Sequence, residues 1–503
     1  MGVAVAGLLA ATGDVAWGQS VRLTPFVSGR ATATNNAGFT AKGVARSGLI
    51  LDVAPSLGLS LSGANYSLEG NLGFEAVTYP GNEQSSEIFP VARLALRSNP
   101  IERIFFLDAS VEATTTTGNP FAGRIDANTP YAPQALTQYA AHVSPYVQAR
   151  LQPNLRFLAQ SDNDWIRRRN DSSTNAITRG DTRFQRNVVR LEREPVPLGL
   201  LAEVTTEDTR YGNQSDGALS LDAARFGASY LVNPQLVLGL IAGREHSVFS
   251  LTDEYDSVRG VSLRWTPTER TNFSVLSEKR FFGHGWEAAF THRSPLMAIS
   301  GAWHRRPVTD QASMGIAPAG SDLAALLDSI FMTRIPDDAE RARAVQDYLQ
   351  KRNLPRTLTE AVEIFGQTAR LNEAGSLTLA LIGARQLMSF TLFSQRDSNL
   401  RREDQASLVV SSDELRQYGG SILFSRQLTA QRTFEAIVTG VATDGRGLRL
   451  GDQTRDWSLM LMLTEALTQR SNATLGLSRQ LVRSNVVTSS QETRIFGGVS
   501  HRL

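Results

Sequence analysis

The stretch Ile104-Phe-Phe-Leu-Asp-Ala-Ser-Val-Glu-Ala-Thr114 alternates apolar and polar side chains along its length. Successive side chains of a β-strand point to opposite faces, so each set shares one face. The apolar face consists of Phe105, Leu107, Ala109, Val111 and Ala113. The polar face consists of Asp108, Ser110, Glu112 and Thr114. The stretch therefore predicts a strand with one apolar and one hydrated side.

The same alternation recurs from Leu23 to Leu503, for example in Tyr66–Ala76 and Ala473–Leu481. Between these segments, tight breaks such as Ser98-Asn-Pro100 interleave with looser polar stretches such as 118–137 and 212–217. Pro and Asn favour turns because Pro fixes φ and Asn tolerates left-handed conformations. Interleaved short turns and long loops are typical of outer-membrane barrels.

The sequence thus predicts an all-β fold, a transmembrane antiparallel β-barrel of about 22 strands with a range of 18–24. The number is even because both ends of such a barrel lie on the same side of the membrane. Mean hydropathy is −0.19 and no run of eighteen apolar residues occurs, which excludes a bundle of transmembrane helices. A barrel of this size encloses a wide lumen.

The first residues, 1–18, are predicted to be a secretory signal peptide, with Ala16 and Gly18 at the −3 and −1 positions of a cut before Gln19. The usual basic region is missing, as it would be in a truncated start. Residues 19–503 are predicted to form a single barrel. The absence of Cys excludes disulfides and cysteine-ligated metals.

Four carboxylates on polar faces are predicted to face the lumen: Glu69, Glu75, Asp108 and Glu112. Of the 51 basic residues only three are Lys, so Arg dominates. Either a genome rich in G and C or a lumen lined with guanidinium groups accounts for this bias, and both can hold. Guanidinium groups bind carboxylates and phosphates in a bidentate manner.

One region breaks the alternation. From 320 to 365, within a predicted insertion of 310–366, apolar residues recur with the period of a helix instead of the period of a strand. Asp337, Asp338 and Glu340 are expected to open the second of two helices, and Lys351 and Arg352 to close it, in keeping with the helix dipole. Its predicted apolar stripe is Ala342, Val345 and Leu349. The insertion is interpreted as an external cap, a lumen plug or a solvated excursion.

Seven motifs, taken together, resemble outer-membrane barrels associated with PEP-CTERM/exosortase systems and their exopolysaccharide gene clusters. They are Leu51-Asp-Val-Ala-Pro-Ser-Leu57, Tyr66-Ser-Leu-Glu-Gly70, Leu107-Asp-Ala-Ser-Val-Glu112, Val143-Ser-Pro-Tyr-Val-Gln-Ala-Arg150, Thr291-His-Arg-Ser-Pro295, Pro336-Asp-Asp-Ala-Glu-Arg341 and Gly383-Ala-Arg-Gln-Leu-Met-Ser-Phe390. The resemblance implies a place in the outer membrane of a Gram-negative bacterium and a genomic setting. It carries over no catalytic residue.

The last strand fits a barrel-assembly signal through Phe496, Gly498, His501 and Leu503, although a terminal aromatic is commoner. The expected partners are therefore outer-membrane lipid or lipopolysaccharide and the barrel-assembly machinery. Anionic polysaccharide and periplasmic export components are further candidates. Nucleic-acid binding has no support, because net charge is only +2 and no motif occurs.

No catalytic, cofactor or metal site is predicted. The six His residues lack metal-ligand spacing. His292 and His304, on adjacent predicted strands, could approach each other, but ordinary surface or lumen positions are favoured over a metal site. His292 and Ser294 could belong to a hydrolase site, but their position in a turn before Pro295 is the preferred explanation for these two residues. Five Trp residues are interpreted as an interfacial girdle or, alternatively, as sugar-stacking groups: Trp165, Trp265, Trp286, Trp303 and Trp457.

The sequence leaves three candidate functions for the protein. The first is a channel or portal for exopolysaccharide export linked to a PEP-CTERM system, favoured by the wide lumen and the resemblance. The second is a non-conducting structural or docking barrel for an envelope export or sorting complex. The third, a hydrolase acting on lipid or polymer, requires a convergent polar cluster that the sequence does not display, so a non-enzyme is expected.

Overall fold

The computed structural model of the 503-residue chain describes residues 20–41, 43–81, 86–117, 121, 135–169, 180–212, 214–249, 252–308, 323–332, 334–351, 369–400, 413–447 and 449–503. The predicted signal peptide, 1–18, lies outside these residues. So do 310–322 and 352–366 of the predicted insertion.

The described residues form 22 strands and two helices. The first eleven strands are β1 Ser20–Thr34, β2 Gly48–Ser62, β3 Tyr66–Thr78, β4 Glu87–Ile101, β5 Phe105–Thr117, β6 Ala135–Gln152, β7 Leu155–Arg169, β8 Gly180–Arg193, β9 Leu198–Tyr211, β10 Gln214–Asn233 and β11 Leu236–Phe249. The others are β12 Thr252–Thr268, β13 Thr271–Arg280, β14 Gly283–Ser294, β15 Met297–Val308, β16 Arg370–Ile382, β17 Gln386–Asn399, β18 Asp413–Gln427, β19 Arg432–Gly447, β20 Gln453–Ala466, β21 Ser471–Ser484 and β22 Ser490–Arg502. The helices are α1 Leu323–Phe331 and α2 Asp338–Lys351.

Every strand pairs antiparallel with its neighbours in sequence, and β22 pairs with β1 from Phe26↔Arg502 to Thr34↔Arg494. The sheet is therefore closed and leaves no edge strand. The predicted antiparallel barrel of about 22 strands is confirmed. Closure satisfies the backbone hydrogen bonds of all strands at once, which is the condition for a sheet that lies in lipid.

One end of the barrel, the turn end, carries the tight connections, such as 153–154, 234–235 and 295–296. The other, the loop end, carries the longer ones, such as 35–47, 309–369 and 400–412. The predicted loop at 212–217 is wrong, because β10 begins at Gln214 and only two residues separate it from β9. In outer-membrane barrels the short turns are periplasmic and the long loops are external.

The inner face of the barrel is identified by contacts that only a concave wall permits. Arg225 on β10 and Glu278 on β13 are three strands apart, or roughly 14 Å along the sheet. Their Nη2 and Oε2 atoms nevertheless lie 3.7 Å from each other. Side chains converge in this way only inside the curve, so the face that bears these two residues is the lumen. Strand alternation and register then assign every other described strand residue to a face.

The two helices form a hairpin. Helix α2 opens with a capping interaction in which the Glu340 backbone N–H donates to Asp337 Oδ1 (2.7 Å), as its acidic start predicted. Val345 and Leu349 are buried as expected. Ala342 is exposed, so its place in the predicted stripe is wrong; the buried side chain one turn before Val345 is Arg341. Neither described helix is long and apolar enough to cross a membrane.

Candidate functional site

The inner wall of strands β1–β13 is lined by charged side chains that pair across strands. Arg30 on β1 contacts both Asp52 on β2 (2.8 Å) and Glu75 on β3 (3.3 Å). Farther round the wall, Arg190 Nε donates to Glu203 Oε2 (2.7 Å). Because most of these groups keep some contact with water, this wall is a hydrated polar surface rather than a packed core.

The four carboxylates predicted from the sequence all lie on this inner wall. Glu75 is paired with Arg30, and Glu112 is paired with Arg93 on β4 (2.9 Å). Asp108 stands opposite Arg97 and Glu69 stands opposite Ala95 in the β-ladder. The four do not meet at one point, since they are spread along β3 and β5. They are therefore elements of the wall rather than a binding cluster.

A well-enclosed ion pair joins Glu245 on β11 to Arg280 on β13. The guanidinium donates from Nε (2.9 Å) and Nη2 (2.7 Å) to Glu245 Oε2. The other carboxylate oxygen, Oε1, accepts a hydrogen bond from the Phe281 backbone N–H (2.7 Å). The Glu245 side chain is fully buried, so the pair fixes the loop end of β13 to β11.

Histidines on the inner wall belong to hydrogen-bonded networks. His142 Nδ1 lies 2.7 Å from Asp164 Oδ1 across β6 and β7. His304 Nε2 lies 2.7 Å from Asn372 Oδ1, and the Asn372 amide donates to Asp397 Oδ1 (2.9 Å). His292 is on the outer face and bonds to Thr271, so it does not approach His304. Among the described residues, no three His, Asp or Glu side chains form a metal site.

The wall of β15–β20 has a different character, with small polar or apolar inner-face residues such as Thr378, Thr391, Ser421 and Thr439. Helix α1 packs here. Its buried side chains are Leu323, Leu326, Leu327 and Ile330. They share one apolar cluster with inner-wall residues Ala298, Ala380, Leu387 and Leu423 and with Val345 and Leu349 of α2.

The position of this contact along the barrel axis shows how far into the lumen the hairpin reaches. The hairpin is connected to Val308 and Arg370, which are at the loop end of the barrel. Ala298 and Leu387 are each the second residue of a strand that starts at the turn end. Arg293, beside the 295–296 turn, also donates a hydrogen bond to Met332 Sδ at the end of α1. The hairpin therefore packs on the inner wall at the opposite end from its attachment points.

Arg341 holds the hairpin together. Its Nε donates to Asp328 on α1 (2.8 Å) and its Nη2 to Asp338 on α2 (2.6 Å). Its Nη1 donates to the carbonyl oxygens of Ile335 (3.1 Å) and Pro336 (3.0 Å) in the linker. The hydrogen bond to Asp328, followed by that to Asp338, raises the pKa of Arg341 above its usual value. One buried guanidinium thus joins both helices and their connection.

Free space also lies along the inner wall of the barrel. A cavity of about 680 Å³ follows the wall from Arg193 and Pro195, next to a turn, to Arg370 and Asp397, near the loop end. On the way it passes Glu287, His304 and Arg306. The cavity therefore runs along the charged wall from one end of the barrel to the other.

The outer face of the barrel is apolar across its middle. Exposed large side chains include Leu200, Leu240, Val261 and Leu392. The five Trp residues interpreted as a girdle are all on this face, and Trp457 is 58% exposed. A closed antiparallel barrel with an apolar belt and interfacial aromatic residues is the form that outer-membrane proteins take. The protein is an outer-membrane β-barrel.

The predicted assembly signal is divided between the faces of β22. Phe496 and Gly498 are on the inner face, where Phe496 is buried over Gly476. His501 and Leu503 follow the outer face with Ile495 and Val499, which are 58% and 54% exposed. The four residues therefore do not form one surface. Recognition by an assembly machinery stays a prediction.

Sequence reasoning missed the ion pairs that link nonadjacent strands and the wall on which α1 packs. Alternation assigns each residue to a face of the sheet. It does not reveal that Glu245 and Arg280, on different strands, contact each other. The contrast between the charged inner faces of β3–β13 and the nearly uncharged inner face of β18 is present in the sequence and could have indicated the wall on which α1 packs.

No family model matches the chain, and no curated protein matches it. Among solved structures it is similar to the ferric-catecholate import receptor Fiu from E. coli K12 in its open form, at 8% identity and a TM-score of 0.47, over 95% of this chain and 81% of that one. It is also similar to the siderophore receptor PirA from Acinetobacter baumannii, at 9% identity and 0.48, over 98% and 81%. A third is the F3-3 variant of the FrpB iron transporter from Neisseria meningitidis, at 10% and 0.48, over 99% and 83%.

Proposed function

We propose that the protein is an outer-membrane channel for a hydrophilic solute or polymer, with its helical hairpin acting as a lumen plug. The observation that carries the proposal is the cavity of about 680 Å³ that extends along the charged wall between the two ends of the barrel. The apolar outer face anchors the barrel in lipid, and a polar path through the lumen adds nothing to that anchoring. A permeating hydrophilic solute requires such a path.

The plug interpretation rests on the depth of α1. A cap would contact the loop end, whereas α1 packs against Ala298 and Leu387 close to the turns. Leu323 and Leu327 are completely buried in that contact. Displacement of the hairpin would free the part of the lumen that it fills, because the described residues of α1 pack against the wall through apolar side chains.

Exopolysaccharide is the substrate class suggested by the family resemblance. The inner wall suits a sugar polymer, since Arg and carboxylate side chains alternate along it and offer both hydrogen-bond donors and acceptors. An acidic polysaccharide would engage the Arg side chains, and periplasmic export components would approach the turn end. These partners belong to the proposal, together with the link to a PEP-CTERM system.

The decisive experiment is conductance of the full chain in planar lipid bilayers, with a matched pair of variants. Leu327→Asp places a charge in the α1 contact and should raise conductance severalfold. Leu467→Asp, at an exposed turn, is the control and should leave conductance unchanged. A deletion strain should retain polymer in the periplasm. A barrel that stays closed in both variants, with normal surface polymer in the deletion strain, would exclude the proposal.

A second candidate is a non-conducting docking barrel. The observation that favours it is the burial of α1, which fills part of the lumen with an apolar contact of the kind found in a permanent core. Cross-linking of intact envelopes separates the two, because a stable complex without conductance in the wild-type or Leu327→Asp protein supports docking.

A further inference from the structure

A continuous row of uncharged polar side chains crosses the inner face of β13–β21. In the register each member stands directly opposite the next: Asn272, Thr291, Ser300, Thr378, Thr391, Ser421, Thr439, Ser458 and Gln480. The row lies on the lumen side, because strand alternation puts Asn272 on the same face as Glu278. We call this row the hydroxyl track, after the Ser and Thr residues that make up most of it.

The hydroxyl track rises through the barrel as it passes from strand to strand. Counted from the turn end, Asn272 is the second residue of β13, Thr391 is the sixth of β17 and Gln480 is the tenth of β21. At the strand tilt of such barrels this rise corresponds to roughly 20 Å along the axis. The track therefore leads from the turn end of the lumen into its loop half.

The strand residues that flank the middle of the track are uncharged. From β15 to β19 the flanking inner-face row toward the loop end is Ala302, Ser376, Phe393, Gly419 and Val441, and the row toward the turn end is Ala298, Ala380, Ser389, Leu423 and Ile437. Charged neighbours, Arg293 and Asp456, stand next to Thr291 and Ser458, nearer the two ends of the track. A charged ligand would lose hydration along the middle of the track without gaining an ion pair from these rows. The wall is therefore suited to an uncharged polar ligand.

The helical hairpin lies alongside this middle part. Helix α1 packs against Ala298, Ala380 and Leu423, which belong to the flanking row toward the turn end. Thr378 and Thr391 are 0% and 1% exposed. Asn272 and Thr291, by contrast, are exposed. The track is therefore open near the turn end and covered in its middle.

The covered region holds polar atoms that its packing leaves without partners. Ser389, the next inner-face residue to Thr391 on β17, and Gln417, two inner-face positions from Ser421 on β18, are both buried. Neither Ser389 Oγ nor either amide atom of Gln417 has a hydrogen-bond partner among the described residues. Buried polar groups without partners are costly, so the wall matches a polar occupant better than the apolar helix that packs beside it.

We infer that the hydroxyl track is a binding path for an uncharged polyhydroxylated chain, of the neutral-oligosaccharide class, and that the hairpin covers the middle of this path. Hydroxyl and amide side chains both donate and accept hydrogen bonds, as sugar hydroxyls do. Neighbouring members of the track are roughly 4.8 Å apart, close to the repeat of a pyranose chain, so successive sugars meet successive strands. The inference rests on the proposed channel function, and it names the chain that the lumen holds as uncharged rather than acidic.

The test is calorimetric titration of the full chain, in a detergent without a sugar headgroup, with maltoheptaose and with an oligogalacturonate of the same length. The Leu327→Asp protein, whose hairpin contact is disrupted, should bind maltoheptaose. It should bind the oligogalacturonate about tenfold more weakly, because carboxylates lose hydration beside an uncharged wall. Addition of Thr378→Val with Thr391→Val should weaken maltoheptaose binding about tenfold, since two hydrogen bonds are lost. Thr205→Val with Thr209→Val, at buried inner-face positions of β9, is the matched control and should stay within about twofold.

A second measurement leaves the hairpin contact intact. Because the chain has no Cys, Asn272→Cys places a single thiol at the exposed turn end of the track. Maltoheptaose should slow the reaction of this thiol with a hydrophilic maleimide. It should not slow the reaction of Ser110→Cys, which lies on the charged inner wall of β5.

The inference is overturned if the acidic probe binds as tightly as maltoheptaose, if both pairs of Thr variants lose the same affinity, or if maltoheptaose fails to protect the thiol at position 272. Conductance distinguishes the inference from the function on which it rests. Maltoheptaose binding without conductance would support the track and exclude the channel, and conductance without such binding would do the reverse.

Discussion

Glu245 on β11 and Arg280 on β13 are joined across the strand between them by two hydrogen bonds, with the carboxylate fully buried. The pair connects nonadjacent strands on the concave wall, where side chains of the barrel converge. It also receives the Phe281 backbone N–H, so the connection between β13 and β14 depends on the same carboxylate.

Replacement of Glu245 by Gln should lower the free energy of unfolding by about 3 kcal/mol, because a buried guanidinium then loses its counter-charge. Urea unfolding of the barrel in lipid vesicles measures the change. Glu112→Gln, in the exposed pair with Arg93, is the control and should cost less than about 1 kcal/mol. Equal costs would show that burial does not govern these pairs.

Glu435 should respond with the opposite sign. It lies on the inner face of β19, is 2% exposed, and neither carboxylate oxygen has a hydrogen-bond partner among the described residues. Two buried polar oxygens without hydrogen-bond partners are costly, so Glu435→Met, which removes both, should raise the free energy of unfolding by about 1–2 kcal/mol. The same unfolding assay tests this, and a loss of stability would contradict it.

Arg341→Gln should loosen the hairpin while leaving the strands intact. The variant loses charge-assisted hydrogen bonds to Asp328 and Asp338, worth about 1.5–3 kcal/mol each. Hydrogen exchange of α1 peptides should become faster, with exchange in β15–β18 unchanged. Arg343→Gln, on the exposed side of the same helix, is the control; a similar acceleration there would argue against the role of Arg341.

The ion selectivity of the channel should depend on the inner-wall carboxylates. Glu192→Lys with Glu287→Lys reverses two charges that line the cavity, so the reversal potential in a salt gradient should shift toward that of chloride. Asp253→Lys changes a charge on the outer face and should have no effect. A shift of equal size in both variants would show that the cavity is not the conducting path.

The outward Trp residues should be accessible to lipid. In vesicles of brominated lipid, tryptophan fluorescence of the folded protein should be strongly quenched, because contact with bromine requires an exposed ring at the membrane surface. Trp457→Phe should remove one of the quenched fluorophores, since Trp457 is 58% exposed. Fluorescence that is unchanged by brominated lipid would place the rings in the lumen, as the sugar-stacking alternative requires.

The sequence by itself determined the barrel, the strand number near 22 and the faces of Glu69, Glu75, Asp108 and Glu112. Each of these follows from period-two alternation and from the spacing of turns, which are local properties of the chain. The acidic start of α2 is local too, and the cap at Asp337 agrees with it.

Only the tertiary structure decided which residues meet. Arg341 occupies the stripe assigned to Ala342 because its guanidinium finds acceptors on α1 and the linker, which a helical period cannot reveal. His292 and His304 separate because the wall lies between them. The depth of α1 and the Glu245–Arg280 pair both depend on the curvature of the closed sheet, which brings together side chains that are distant in sequence and sets which side of the wall meets water and which meets lipid.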